Sequence, residues 1–117
     1  MWLKLGTRVQ VDEEHFNAAT ALAFCGPAFI FTVIDVMADG GVLRGLGRQD
    51  PIKLAAQTVL GAAQMVLNPG EHPAKFRDTV CTPGGATIAG IRSLERSGIR
   101  SSFTEATSAS ADRFSQL

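Results

Sequence analysis

The stretch Gln49–Gly70, "QDPIKLAAQTVLGAAQMVLNPG", decides the fold. Asp50 is placed to cap a helix, Pro51 to open it, and Asn68-Pro69-Gly70 to close it. Leu54, Thr58, Gly61 and Met65 fall on one stripe; Ala55, Val59, Ala62 and Val66 fall on the next. No charge follows Lys53 in this run, so the helix is expected to be buried nearly all round. A chain of 117 residues builds only one moderate core, which offers too little surface to cover such a helix. An interlocked homodimer would supply the rest.

Working outward, the preceding segment "CGPAFIFTVIDVMADGGVLRG" reads as a long helix opened by Pro27, where the missing N–H costs nothing. Phe31, Ile34, Met37 or Ala38, and Val42 mark one face. Gly40 and Gly41 weaken it by about 1 kcal/mol each against alanine, which points to close backbone contact with another element; Gly45 and Gly47 stop it. Upstream, Asp12 is the expected N-cap of a short first helix that ends near Ala23. Glu13 and Glu14 sit in its first turn, and Val11 and Phe16 are spaced for a hydrophobic staple. Downstream, "HPAKFRDTV" reads as a fourth helix opened by Pro73, and "TPGGATIAGIRSLERSG" as a fifth stopped by Gly98. A sixth is expected from Ser102, where Ser102 and Glu105 fit a capping box, to the C-terminus. Only "RVQV" resembles a strand, and one strand makes no sheet. The expectation is an all-α bundle of about six helices, one domain over residues 1–117, with residues 1–10 as the remnant of a preceding linker or strand.

Composition narrows the function. Eleven basic and eleven acidic residues cancel and are interspersed, which removes the electrostatic case for nucleic acid or an anionic membrane. Read with Pro27 and Asp35 as interruptions, no apolar run approaches the ~20 residues that span a bilayer. The N-terminus is too short and too charged for a secretory core. Cys25 and Cys81 match no metal spacing, so no metal site is expected, and the lack of a disulfide pattern favours a cytoplasmic location.

One loop could do chemistry. In "CTPGGAT", Thr82 is the expected N-cap, Pro83 the first helical residue, and Gly84 and Gly85 the next two. A first helical turn leaves backbone N–H groups without internal partners, and the helix dipole adds partial positive charge there. Glycines leave those amides uncovered, which suits a carboxylate or phosphate; the Thr82 and Thr87 hydroxyls could join in. The same four residues are also good turn chemistry and a good helix start with no ligand at all.

These residues carry a family resemblance. "TPGGATIAGIRSLE", with "AAQTVLGAAQMVL" and "GEHPAKFRDTV" before it, resembles the C-terminal domain of pyrroline-5-carboxylate reductases, whose pattern has Ser/Thr-Pro-Gly-Gly-x-Thr before a small-residue helix. "TALAFCGPAFIF" resembles that family's Thr-x-Leu-Ser-Gly-Ser-Gly-Pro-Ala-Tyr segment, "ADGGVLRGL" its following turn, and "GIRSSFTEATSASADR" its last helix. The resemblance runs in register from about Val11 to the C-terminus. It implies reduction of the imine of 1-pyrroline-5-carboxylate to proline with NADPH or NADH, the last step of proline biosynthesis. It further implies a Rossmann domain for the cofactor and a helical half that interlocks into dimers and often larger rings. Carried over by position, Thr82, Pro83, Gly84, Gly85, Ala86 and Thr87 would bind the substrate, Thr82 and the amides of Gly84, Gly85 and Ala86 taking the carboxylate. Thr87 would hydrogen-bond the ring nitrogen and take the catalytic role.

The chain departs from the pattern in two ways. Ala23-Phe24-Cys25-Gly26 stands where the family has Ser-Gly-Ser-Gly, so Phe24 would crowd that turn and two hydroxyls are lost. No Gly-x-Gly-x-x-Gly follows a strand, so no cofactor is expected in this chain and no turnover from it alone; a separate or missing Rossmann domain is implied. The competing expectation is a dimerisation or assembly module without catalysis. Cys25 reads as a small buried hydrophobe, and Cys81 has no catalytic part. His15 and His72 read as surface or capping residues, and Asp35 as a satisfied polar or interface residue. Arg92, Glu95 and Arg96 read as a solvated helix face.

Overall fold

The computed structural model describes residues 2–4 and 8–117, with side chains from residue 9 onward. Two short strands, β1 (Trp2–Lys4) and β2 (Arg8–Gln10), pair antiparallel with Trp2 opposite Gln10. The strand-like "RVQV" thus has a partner that its sequence did not reveal. The rest is helical: α1 (Phe16–Thr20), α2 (Gly26–Leu43), α3 (Gln49–Leu67), α4 (Pro73–Thr79), α5 (Ala86–Arg96) and α6 (Ile99–Ser115).

The expected break between the first two helices does not occur. A 3-10 turn (Glu13–His15), α1, a π-helical segment (Ala21–Cys25) and α2 follow without a gap. Pro27 cannot donate to Ala23 four residues back, and its ring crowds that carbonyl. A wider π turn immediately before it absorbs both defects, so the proline is carried within the helical path instead of ending it. The uninterrupted run Glu13–Leu43 is 31 residues, long and apolar enough by length and composition to cross a membrane. That corrects the expectation built on Pro27 and Asp35 as interruptions.

The chain divides into two compact units, Met1–Phe31 with Gly98–Leu117, and Thr32–Ser97. In the first, α1 and the π turn pack on α6, and Asn17 Nδ2 donates to Ser115 Oγ at 3.1 Å. Ala21, in that π turn, is fully buried. In the second unit, α2 ends in a Schellman motif. Leu46 N–H donates to the Gly41 carbonyl at 3.1 Å and Gly45 N–H to the Val42 carbonyl at 2.9 Å, with Gly45 at φ 106°. A side chain at Gly41 would lie 3.1 Å from Pro51 Cβ, so this glycine does mark close contact with another helix; Gly40 faces open space. The α2–α3 connection is fastened by an ion pair between Asp39 and Arg48. That hydrogen bond to Asp39 is the main reason the Arg48 guanidinium is pushed above its ordinary range; desolvation opposes it, and the charges of Asp39 and Asp35 reinforce it.

The helix boundaries differ in detail. The α3 helix starts at Gln49, with Arg48 as its cap, before the expected Asp50-Pro51 start. The α6 helix starts at Ile99, directly after Gly98 at φ 81°. Ser102 therefore lies inside the helix, and its hydroxyl bonds back to the Gly98 carbonyl at 3.1 Å, so no capping box forms there.

Burial is the most informative property. Among the described residues, those buried are Ala21, Ala38, Pro51 and Ala55, and no large side chain is fully buried. On α3, Leu54 is 62% and Met65 52% exposed. The chain exposes 8919 Å², where a globular protein of 12.4 kDa would expose about 6,100 Å². Two separately folded bodies of 51 and 66 residues would together expose only about 7,400 Å². By either measure, at least ~1,500 Å² per chain is available for burial, and a standard interface takes ~800 Å² per partner.

Candidate functional site

The loop between α4 and α5 is built from three local devices. His72 caps α4, its Nδ1 accepting from the Ala74 N–H at 3.0 Å, and Pro73 follows at the first helical position. At the other end of α4, Val80 N–H donates to the Arg77 carbonyl and Cys81 N–H to that of Asp78, each at 3.2 Å. Thr82-Pro83-Gly84-Gly85 then forms a β-turn: Gly85 N–H donates to the Thr82 carbonyl at 3.0 Å, and Gly84 sits at φ 69°. Proline second and a positive-φ glycine third are what a type II turn requires.

This geometry corrects the expected helix start. The cap of α5 is Gly85, at φ −84° and ψ 179°, and the helix begins at Ala86; Thr82 stands three residues earlier. The Gly85 amide is spent inside the turn. The amides of Ala86, Thr87 and Ile88 occupy the first helical turn, before the ladder has carbonyls to offer them. Gly85 contributes no capping side chain to meet them. Thr82, Pro83, Gly84, Ala86 and Thr87 are exposed and Gly85 is half-buried. All six expected site residues therefore lie on one turn and the helix it opens. They can offer a ligand uncovered amides, the positive end of a helix dipole, and two hydroxyls.

The other residues singled out are not part of this loop. Phe24 lies in the π turn, 58% exposed. Cys25 and Cys81 are free thiols, each half-buried. His15 is exposed beside Asp12 and Glu14, with its Nδ1 3.9 Å from a carboxylate oxygen of each; His72 is the cap already described. Asp35, Arg92, Glu95 and Arg96 are exposed. Sequence reading missed two apolar grooves. One, of about 580 Å³, is lined by Leu22, Pro27, Phe29, Ile30, Phe31 and Phe103 among others. The second, of about 290 Å³, lies between α3 and α4, with Met65, Val66, Phe76 and Val80 in its walls. The Phe29/Ile30 pair, one residue off the expected α2 face, was the signal that could have found the first.

Comparison with known proteins agrees with this architecture. Residues 13–117 match the family model described as "Pyrroline-5-carboxylate reductase dimerisation". The pyrroline-5-carboxylate reductase of Methanosarcina acetivorans is 51% identical over 113 residues, which are 97% of this chain and 42% of that protein. That of Arabidopsis thaliana is 46% identical over 97% of this chain and 41% of its own length. Among solved structures, the 1-pyrroline-5-carboxylate reductase of Streptococcus pyogenes superposes with a TM-score of 0.88 at 34% identity, covering 93% of this chain and 42% of that one. The Plasmodium falciparum enzyme, solved with NADP bound, gives 0.83 at 30% identity, over 90% and 40%. The chain thus spans about two fifths of the length of the relatives it matches. It is a helical chain that belongs to the pyrroline-5-carboxylate reductase dimerisation family.

Proposed function

We propose that this chain is the dimerisation and substrate-binding part of a pyrroline-5-carboxylate reductase. Two copies interlock through the exposed apolar faces of α2 and α3, and larger rings of such dimers fit the same reading. The partner of the long apolar helix is then protein and not lipid. The unpaired cysteines suit a reducing compartment, so the cytoplasm is the proposed location.

The observation that carries the substrate reading is the turn before α5. It spends one amide on itself and leaves those of Ala86, Thr87 and Ile88 at the positive end of an 11-residue helix. A carboxylate there gains charge-assisted hydrogen bonds. With the carboxylate fixed, the ring of 1-pyrroline-5-carboxylate lies over the turn, and the Thr87 hydroxyl is assigned to its nitrogen. As the C=N bond is reduced, the carbon takes a hydride and the nitrogen becomes a basic amine that must gain a proton. A hydroxyl at the nitrogen stabilises that change and holds the proton's route. The hydride is the chemistry of NADPH or NADH. No dinucleotide fingerprint occurs within these 117 residues, so a nicotinamide would be held by another polypeptide segment. Accordingly the purified chain is expected to give no turnover by itself.

Titration calorimetry with L-proline tests the reading. Millimolar binding is expected, weakened at least several-fold by Thr82→Ala and by Thr87→Ala. No heat and no amide shift at saturating proline would instead favour an assembly module without substrate. Phe24, exposed where the family resemblance implies Ser-Gly-Ser-Gly, is the feature that supports that second reading.

A further inference from the structure

We draw no further inference here: the strongest candidate, the apolar groove beside the π turn lined by Leu22, Phe29, Ile30 and Phe103, lies on the α2 face already proposed to meet a second copy, and nothing in the structure shows another occupant for it.

Discussion

Gly61 lies in the middle of the α3 stripe formed with Leu54, Thr58 and Met65. Within the chain, a side chain there would meet nothing within 4 Å. Substituting Gly61→Glu therefore brings two opposed effects that are easily separated. For a single chain, glutamate in a helix interior is better than glycine by about 0.5–1 kcal/mol. For an interlocked pair, the carboxylate is buried without a partner, at about 3–5 kcal/mol. A two-fold symmetric interface suffers that twice. Against the two helix gains, the net loss is about 4 kcal/mol or more, equivalent to roughly a 10³-fold rise in the dimer dissociation constant. Sedimentation velocity at low micromolar concentration should find a dimer for the wild type and a monomer for Gly61→Glu, with a lower unfolding midpoint. If the variant sediments as the same dimer, α3 does not face a second copy and the burial argument is wrong.

Two further outcomes can be checked independently. His72→Ala should lower stability by about 1 kcal/mol through loss of the α4 cap, while His72→Asn, which keeps a short acceptor, should recover most of it; denaturant unfolding measures both. If the proposed pairing covers the apolar face of the helix Glu13–Leu43, the chain should not bind neutral phosphatidylcholine vesicles in a flotation assay; flotation of the wild-type chain with the vesicles would contradict the pairing.

What sequence could reveal depended on whether the signal was local. Gly45, Gly70 and Gly98 were legible as stops because each ends a periodic run, and each has positive φ. Pro73 and the Asn68-Pro69-Gly70 closure were legible for the same reason. Pro27 was not, because a proline that opens a helix and one absorbed by a π turn look alike in sequence. The difference lies in the carbonyls of the preceding turn. Ser102-Phe103-Thr104-Glu105 fits a capping box, but the chain had already re-entered a helix from Gly98, whose left-handed backbone lets α5 and α6 follow with only Ser97 and Gly98 between them. The six residues expected at the site do share one loop, but the cap of the helix it opens is Gly85 and not Thr82. Threonine and glycine rank about equally as caps, so propensity did not separate Thr82 from Gly85, while the Pro-Gly pair that makes a type II turn pointed to Gly85. The α3 stripe was read as buried; in one chain it is open to water, and that mismatch is what the proposed pairing would resolve.

A core of three alanines and one proline, among the described residues, has a consequence for how the protein comes into being. On α2 only Ala38 and on α3 only Pro51 and Ala55 are buried, so these helices gain little from forming in isolation. Folding and pairing then approach a single second-order event, and stability is set by mass action as much as by sequence. The melting temperature should rise with protein concentration. Dilution alone, without acid, heat or denaturant, should be enough to unravel the chain.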